Sequence, residues 1–376
     1  MKRSEHAVLT THTGSLPRPE ALLGLLAERD RGPEQRAAFD EAAAEAVASA
    51  VARQAALGLA VVSDGEQSKP SYATYVKDRL SGFDGSSQSK EPLGADLVDF
   101  PSYSPVRNTE TVQRPTCTGP IAWKDWDAVQ RDIANFKDAL GGAHVGEAFM
   151  SAASPGVITR FLYNEYYPSH EAYLYALADV MKDEYEAIAA AGFIVQVDCP
   201  DLASGRNTVF AHLSPEEFRA VVAQHLDALD HALANIPPER IRMHLCWGNR
   251  EGPHHKDVPL ADIIDLVLHA RPQGISFPAA NPRHEHEWKV WEDVKLPEGK
   301  VLIPGVIDTT TNFIEHPELV AQRIERYAGV VGRENVIAST DCGLSTFAGG
   351  SRVDGDIAWA KLGALVEGAR IASARR

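Results

Sequence analysis

A regular alternation of short apolar runs with helix-like segments is the feature of this chain that most constrains its fold. Each apolar run has the length of a strand, ends in polar residues and is followed by apolar residues at helical spacing. The clearest runs are 193–198, 240–246, 274–277, 301–308 and 335–340. The helical segments that follow them lie near 215–234, 260–269, 317–327 and 357–372. Repeated strand–helix units with short connections predict an α/β protein built as a parallel (β/α)8 TIM barrel.

The first half of the chain follows the same rule with one departure. A long helix is predicted at 34–57 and another at 171–191, and a buried strand at 59–63. Residues 83–110 are rich in Ser, Pro and Asp and have little periodicity, so we expect an irregular excursion near 83–110 that covers one mouth of the barrel. Phe83, Phe100 and Tyr103 favour an ordered arm over a disordered segment.

Chain length is consistent with a single domain covering residues 1–376, because barrels with insertions commonly reach this size. An open doubly wound sheet is the alternative architecture. No glycine-rich dinucleotide-binding loop follows a first strand, however, and this favours the closed barrel.

Composition limits the partners and the compartment. The net charge is −15, which argues against nucleic acid or an anionic membrane surface as a partner. Four cysteines in 376 residues are too few for a disulfide framework, and the basic N-terminus lacks the apolar core of a secretory signal. No apolar run is long enough to span a membrane. We therefore expect a cytoplasmic protein with reduced thiols; the sequence leaves a homo-oligomer open.

The most specific chemical signal is a pair of metal-ligand residues on one predicted strand. His244 and Cys246 stand at i and i+2, a spacing that directs both side chains to one face, and Cys342 follows a later strand. Histidine and cysteine are the usual ligands of zinc, and three protein ligands leave one coordination position for a substrate. Buried cysteines often only pack, which is the favoured interpretation for Cys117 and Cys199.

Polar residues at other strand ends should meet this group, because the C-terminal ends of barrel strands converge on one face. Those residues are Ser15, Glu66 and Asp198, with Asp308 and Asp341 beside them. Coordination to zinc deprotonates a thiol and makes it a nucleophile for an alkyl carbon. Glu66 and Asp198 could bind the ammonium group of an amino-acid thiol; solvation of the strand ends or helix capping is an equally good alternative.

Six motifs in order along the chain resemble the catalytic barrel of cobalamin-independent methionine synthase, especially its short single-barrel relatives, which include the epoxyalkane–coenzyme M transferase group. The motifs are THTGSLPRP, VSDGEQ, QVDCPD, HLC, ANPRHEHEW and TDCGL. The resemblance implies zinc-dependent transfer of a methyl or other alkyl group to a thiol. The positions that match the family's zinc ligands are His244, Cys246 and Cys342. Those that match the homocysteine-binding residues are Ser15, Glu66 and Asp198.

The chain departs from the family pattern at three positions. Pro278 stands where the family has a carboxylate zinc ligand, and Thr310 stands where the full-length synthase has a histidine general acid. Cys199 occupies a position where the family more often has an acid. We therefore expect a three-ligand zinc site, with His284, Glu285 and Cys199 as weak candidates for a fourth ligand.

The first functional hypothesis is a zinc-dependent thiol S-alkyltransferase that methylates homocysteine or a similar small thiol. Its alkyl donor would be a methylated folate or a corrinoid. The second is an epoxide-opening thiol transferase of the coenzyme M type. Hypotheses of other classes are a metal-free barrel decarboxylase of the uroporphyrinogen type and a non-catalytic binding protein, which the departures at Pro278 and Thr310 keep open.

Overall fold

The computed structural model describes residues 1–87, 94–103 and 114–375. Within these residues the strands are, in chain order, β1 Leu9–Thr10, β2 Val61–Ser63, β3 Phe83–Ser87, β4 Arg114–Cys117, β5 Glu147–Ala153, β6 Ile194–Asp198, β7 Ile241–His244, β8 Gly274–Pro278, β9 Val301–Ile307 and β10 Ile337–Thr340. The α-helices are α1 Glu20–Glu28, α2 Pro33–Leu57, α3 Val76–Arg79, α4 Ala95–Val98, α5 Trp126–Leu140, α6 Pro155–Phe161, α7 His170–Ala190, α8 Pro215–Ala232, α9 Ile264–His269, α10 Val290–Asp293, α11 Pro317–Val331 and α12 Gly355–Ala374. Short 3-10 turns join several of them.

Eight of the strands form one parallel sheet, in the order β1-β10-β9-β8-β7-β6-β5-β2. Its two end strands meet, because Ala60 N donates to the Thr10 carbonyl at 3.1 Å and the Thr11 hydroxyl donates to the Val61 carbonyl at 3.1 Å. The sheet is therefore nearly closed, with helices around it. This confirms the predicted TIM barrel.

Local sequence explains where the elements begin and end. Helix α2 starts at Pro33 and stops at Gly58, whose φ of 86° is a left-handed conformation that glycine adopts without strain. Ser214 and Glu217 form a reciprocal capping box at the start of α8. Every residue of β6 and β9 is buried, as expected for parallel strands covered by helices on one side and by barrel side chains on the other.

The excursion begins as regular structure. Strands β3 and β4 pair in an antiparallel sheet outside the barrel, and the Phe83–Ser87 stretch predicted as irregular is one of its strands. Farther on, the Phe100 ring lies 5.4 Å from the His255 ring, and the Tyr103 hydroxyl donates to the Glu251 carbonyl at 3.1 Å. These contacts place part of the arm against the loop that follows β7. The rest of the predicted excursion, 88–93 and 104–110, lies outside the described residues.

None of the helices in the described part of the chain combines the length and the apolar character that a bilayer-spanning helix needs.

Candidate active site

A cavity of about 250 Å³ opens at the C-terminal ends of the barrel strands. Loops that follow β1, β2, β6, β7, β9 and β10 contribute to its wall. All the site residues predicted from the sequence line this one cavity: Ser15, Glu66, Asp198, His244, Cys246 and Cys342. The position at the C-terminal mouth is where barrel enzymes carry their active sites.

Three of these residues form a compact group of metal donors. The ligand atoms of His244, Cys246 and Cys342 lie within 4.8 Å of one another, and all three residues are buried. His244 ends β7 and Cys246 follows two residues later, whereas Cys342 follows β10. Because β8 and β9 separate these two strands in the sheet, the donors approach across the barrel mouth. This group can hold a metal ion.

Hydrogen bonds orient the donors. His244 Nδ1 lies 3.0 Å from the Ser276 hydroxyl on the neighbouring strand β8, an arrangement that leaves Nε2 free to act as a ligand. A hydrogen bond from Cys342 lowers the pKa of Cys246, and the same hydrogen bond, together with burial, raises the pKa of Cys342. The two thiols thus lie within hydrogen-bond reach of each other and beside an imidazole, and metal binding to such a group requires deprotonated thiols.

No fourth His, Cys, Asp or Glu joins this group in the part of the chain that the structure describes. Pro278 ends β8 at the position of the family carboxylate and offers no donor atom. None of the three suggested substitutes, Cys199, Glu285 and His284, belongs to this group, and each has other partners. The Cys199 thiol donates to the Val197 carbonyl at 3.5 Å, and Glu285 forms an ion pair with Arg323 at 3.1 Å.

His284, the remaining candidate, belongs to a separate cluster. Its ring nitrogens lie 2.9 Å from Glu287 and 3.2 Å from Asp257, and the same Asp257 oxygen lies 2.6 Å from His254 Nδ1. Although burial alone lowers the pKa of His284, hydrogen bonds to the two carboxylates raise it above the ordinary value. His254, Asp257 and His284 are close enough to hold a metal ion, but these hydrogen bonds already satisfy their ligand atoms. The cluster is explained as a structural network beneath the loop after β7.

Two buried carboxylates line the cavity without an ion-pair partner among the described residues. Glu66 and Asp198 are 2% and 4% exposed, and neither forms an ion pair with any described residue. Glu66 Oε2 is buried without a hydrogen-bond partner within the described residues, and Asp198 Oδ1 accepts a bond of 2.8 Å from Gln196. Burial raises the pKa of both carboxyls, although nearby Lys69 opposes the shift. Such a pair is arranged to receive a positively charged group.

The backbone around Glu66 is held in an uncommon conformation. Glu66 has a φ of 55°, which is rare for a residue with a side chain. The Arg18 guanidinium donates to the Glu66 carbonyl at 2.7 Å, to the Lys69 carbonyl at 2.8 Å and to the Ser345 carbonyl at 2.9 Å. One side chain therefore ties together the loops after β1, β2 and β10. Local strain that the surroundings hold in place is typical of functional sites.

Ser15 lies against the loop that carries Cys342. Leu344 N donates to the Ser15 carbonyl at 2.9 Å, and a Cβ added to Gly343 would lie 2.0 Å from the Ser15 hydroxyl oxygen. A larger residue directly after Cys342 would therefore displace the Ser15 hydroxyl. The close approach brings the predicted amino-acid site and the donor group onto one wall of the cavity.

Thr310, at the family's general-acid position, has its hydroxyl engaged in a hydrogen bond. The Thr310 hydroxyl donates to Asp308 at 2.8 Å, and it is Thr309 that lines the cavity. Thr309 in turn donates to the Asn249 side chain at 2.9 Å. The structure thus agrees with the sequence in giving no strong acid at this position.

Sequence reasoning missed the arginines of the cavity. They are Arg114, Arg160, Arg250 and Arg352. They lie at the start of β4, on α6 and in the loops after β7 and β10. The sole sequence signal was the position of Arg250 four residues after Cys246, which placed it at the same mouth.

The comparisons with known proteins agree with this geometry. The family model described as the cobalamin-independent synthase catalytic domain matches residues 155–369, more than half of the chain. The chain therefore belongs to the cobalamin-independent methionine synthase family. This confirms the resemblance drawn from the six motifs and the assignment of an enzyme of the methyltransferase class.

Individual relatives match over nearly the whole chain. Methionine synthase from Saccharolobus solfataricus is 24% identical over 368 residues, which are 96% of this chain and 94% of the relative. A B12-independent methionine synthase from Shewanella sp. W3-18-1, solved in complex with selenomethionine, superposes with a TM-score of 0.74 at 20% identity and 97% coverage of each chain. A putative vitamin-B12 independent methionine synthase from Listeria monocytogenes gives a TM-score of 0.64 at 18% identity, covering 99% of this chain and 98% of its own. The two structures share the barrel fold.

Proposed function

We propose that this protein is a single-domain, zinc-dependent S-methyltransferase, covering residues 1–376, that acts on homocysteine or a closely similar amino-acid thiol. The observation that carries the proposal is the presence in one cavity of the His244, Cys246 and Cys342 donors and the unpaired carboxylates of Glu66 and Asp198. The metal donors suit a thiol and the two carboxylates suit an ammonium group. Homocysteine contains both a thiol and an ammonium group. Relatives named methionine synthase, and the Shewanella protein in complex with selenomethionine, support the same assignment.

The donor set suits zinc. Two cysteines and a histidine are typical zinc ligands, and the hydrogen bond from His244 Nδ1 to Ser276 is the outer contact that such histidines commonly make. Bound zinc would supply deprotonation of the substrate thiol at neutral pH. Three protein donors would leave a coordination position for that thiol.

The chain's own residues would position the substrate. Glu66 and Asp198 would accept hydrogen bonds from the ammonium group, and the Ser15 hydroxyl on the same wall would donate to the carboxylate. The ammonium would also neutralise two buried carboxyls whose burial raises their pKa. The amino acid would thus be held with its sulfur towards the donor group.

The transfer step sets a requirement for the alkyl donor. The substrate sulfur, having lost its proton, forms a bond to the methyl carbon, and the bond from that carbon to the donor breaks with its electron pair going to the donor. A folate leaving group would need a proton on nitrogen, whereas a corrinoid retains the electron pair on cobalt. Because the Thr310 hydroxyl is bonded to Asp308, this site favours a leaving group that needs no proton, and we place the methylated corrinoid ahead of the methylated folate.

The proposal predicts methionine as a product. Zinc-loaded protein is incubated with homocysteine and a donor carrying a deuterated methyl group, either methylcobalamin or methyltetrahydrofolate, and labelled methionine is measured by mass spectrometry. Label should appear with at least one donor and should fall to the uncatalysed level in Cys342→Ser. Absence of labelled methionine with both donors, from protein that contains zinc, would contradict the proposal.

Ser276 should tune the metal affinity without being a ligand. We expect Ser276→Ala to weaken zinc binding by about tenfold, because loss of an outer hydrogen bond to a ligating histidine typically has an effect of this order. Zinc affinity is measured by competition with a chromophoric chelator.

The control for Ser276→Ala is Ser339→Ala, on barrel strand β10. Ser339 is equally buried, and its hydroxyl has no hydrogen-bond partner among the described residues. This control should bind zinc like the parent. An equal loss in both variants, or none in either, would show that the Ser276 hydroxyl does not orient His244.

A further inference from the structure

The cavity contains several arginines although the chain as a whole is acidic. Its wall contains four arginines, Arg114, Arg160, Arg250 and Arg352, and two carboxylates, Glu66 and Asp198, whereas the chain has a net charge of −15. The proposed amino-acid site uses both carboxylates, and neither of them forms an ion pair with Arg250 or Arg352. A concentration of positive charge in a cleft of an acidic protein attracts anions to that cleft.

Arg250 is held by an ion pair with a buried carboxylate. Its guanidinium forms an ion pair with Asp96, and the same Asp96 oxygen accepts a hydrogen bond of 2.9 Å from His254 N. Arg250 Nη1 is buried and has no hydrogen-bond partner among the described residues. The side chain is therefore immobilised by one carboxylate and retains an unused donor.

Arg352 lies beside it without a carboxylate partner. Its Nε donates to the Asn249 carbonyl at 3.2 Å, and it forms no ion pair with any residue in the described ranges. Partial burial lowers the pKa of Arg352, and repulsion from Arg250 acts in the same direction although Glu251 and Tyr103 oppose it. Asp96 compensates the charge of Arg250, but no carboxylate within the described residues forms an ion pair with Arg352. A bound anion would compensate the charge of Arg352.

We propose that Arg250 and Arg352 form an anion-binding subsite that holds a phosphate, sulfonate or carboxylate group of the alkyl donor. The assignment of the anion to the alkyl donor, and not to the thiol substrate, rests on the proposed function, in which Glu66, Asp198 and Ser15 hold the thiol substrate. Guanidinium groups bind oxyanions through paired, charge-assisted hydrogen bonds, so the two arginines suit any of these three groups. Arg250 and Arg352 line the same cavity as Cys246 and Cys342, which places the subsite in the cavity where the transfer is proposed to occur.

The subsite is tested with inorganic phosphate, independently of any activity. The rise in unfolding temperature is titrated with phosphate against chloride at equal ionic strength, for zinc-loaded and zinc-free protein. We expect the parent to be stabilised by phosphate in both forms. Arg352→Gln should need at least about tenfold more phosphate for the same rise, because a hydrogen bond between charged groups is lost. The exposed Arg370→Gln on α12 is the control and should respond like the parent.

The possible results test the anion-binding subsite and the proposed function separately. An equal response of Arg352→Gln and the parent, or a response that disappears when zinc is removed, overturns the subsite. Homocysteine affinity is then measured by calorimetry with and without saturating phosphate. An unchanged homocysteine affinity assigns the anion to the alkyl donor. Competition between phosphate and homocysteine assigns the anion to the thiol substrate and overturns the assignment to the alkyl donor. An epoxide-opening enzyme that uses a sulfonated thiol would show this competition. Binding of phosphate through Arg352 without any binding of homocysteine supports the subsite and contradicts the proposed function.

Discussion

Zinc is expected in nearly stoichiometric amount in the parent protein purified without chelator, and to be almost absent from Cys342→Ser. The variant replaces a thiolate donor by a hydroxyl, which is not deprotonated at neutral pH and is a poor zinc ligand. The two donors that remain, His244 and Cys246, come from one strand end and cannot enclose a metal ion across the barrel mouth. Zinc per chain is measured by elemental analysis after extensive dialysis.

The chain offers matched controls for this experiment. Cys199 and Cys117 are also buried free cysteines, but neither belongs to the donor group or lines the cavity. Cys199→Ser and Cys117→Ser should therefore keep their zinc, and circular dichroism should show that all the variants are folded. A parent without zinc, or an equal loss in Cys199→Ser, would refute the assignment of His244, Cys246 and Cys342 as ligands.

Homocysteine should bind about tenfold to a hundredfold more weakly to Glu66→Gln than to the parent, because a hydrogen bond between charged groups is replaced by a neutral one. Binding is measured by calorimetry on zinc-loaded protein. The matched control changes the ligand: 4-mercaptobutyrate has the same thiol and carboxylate but no amino group. Its affinity should be similar for the two proteins, and an equal weakening for both ligands would show that Glu66 does not recognise the ammonium.

The same substitution should stabilise the ligand-free protein. Burial raises the pKa of Glu66 above its unfolded value, so the folded state binds more protons than the unfolded state between the two pKa values. Stability is therefore fully present below the unfolded pKa and is lost as the pH rises through the folded pKa. The amide of Glu66→Gln cannot ionise, and its unfolding temperature at neutral pH should exceed that of the parent, with a flatter dependence on pH.

The fold and the donor group were predictable because they depend on short-range patterns. Burial on both faces of a parallel strand leaves a continuous apolar run, and His244 and Cys246 stand two residues apart at the end of one such run. The antiparallel β3 and β4 pair was not predicted, because its second strand begins 31 residues after its first does and the segment between them has little periodicity. Pairing at that distance has no local signature.

The parts of the site that escaped prediction depend on tertiary contacts. His284 was a fair candidate ligand by residue type, but Asp257 and Glu287 occupy both of its nitrogens. Arg352 was an ordinary loop residue until the fold placed it beside Arg250. In both cases the outcome depends on which side chains contact each other in the folded protein. The spacing of residues along the sequence does not give that information.

Arg18 has a consequence for how the specificity of this enzyme can change. One guanidinium donates to the carbonyls of Glu66, Lys69 and Ser345, so it links the loop that bears Glu66 to the loops that bear Ser15 and Cys342. A backbone change made to admit a larger amino acid would also displace the metal donor. New substrates are therefore more readily accepted by exchanging side chains at the free rim, where Arg250 and Arg352 lie, than by remodelling the loops, and divergence within the family should concentrate there.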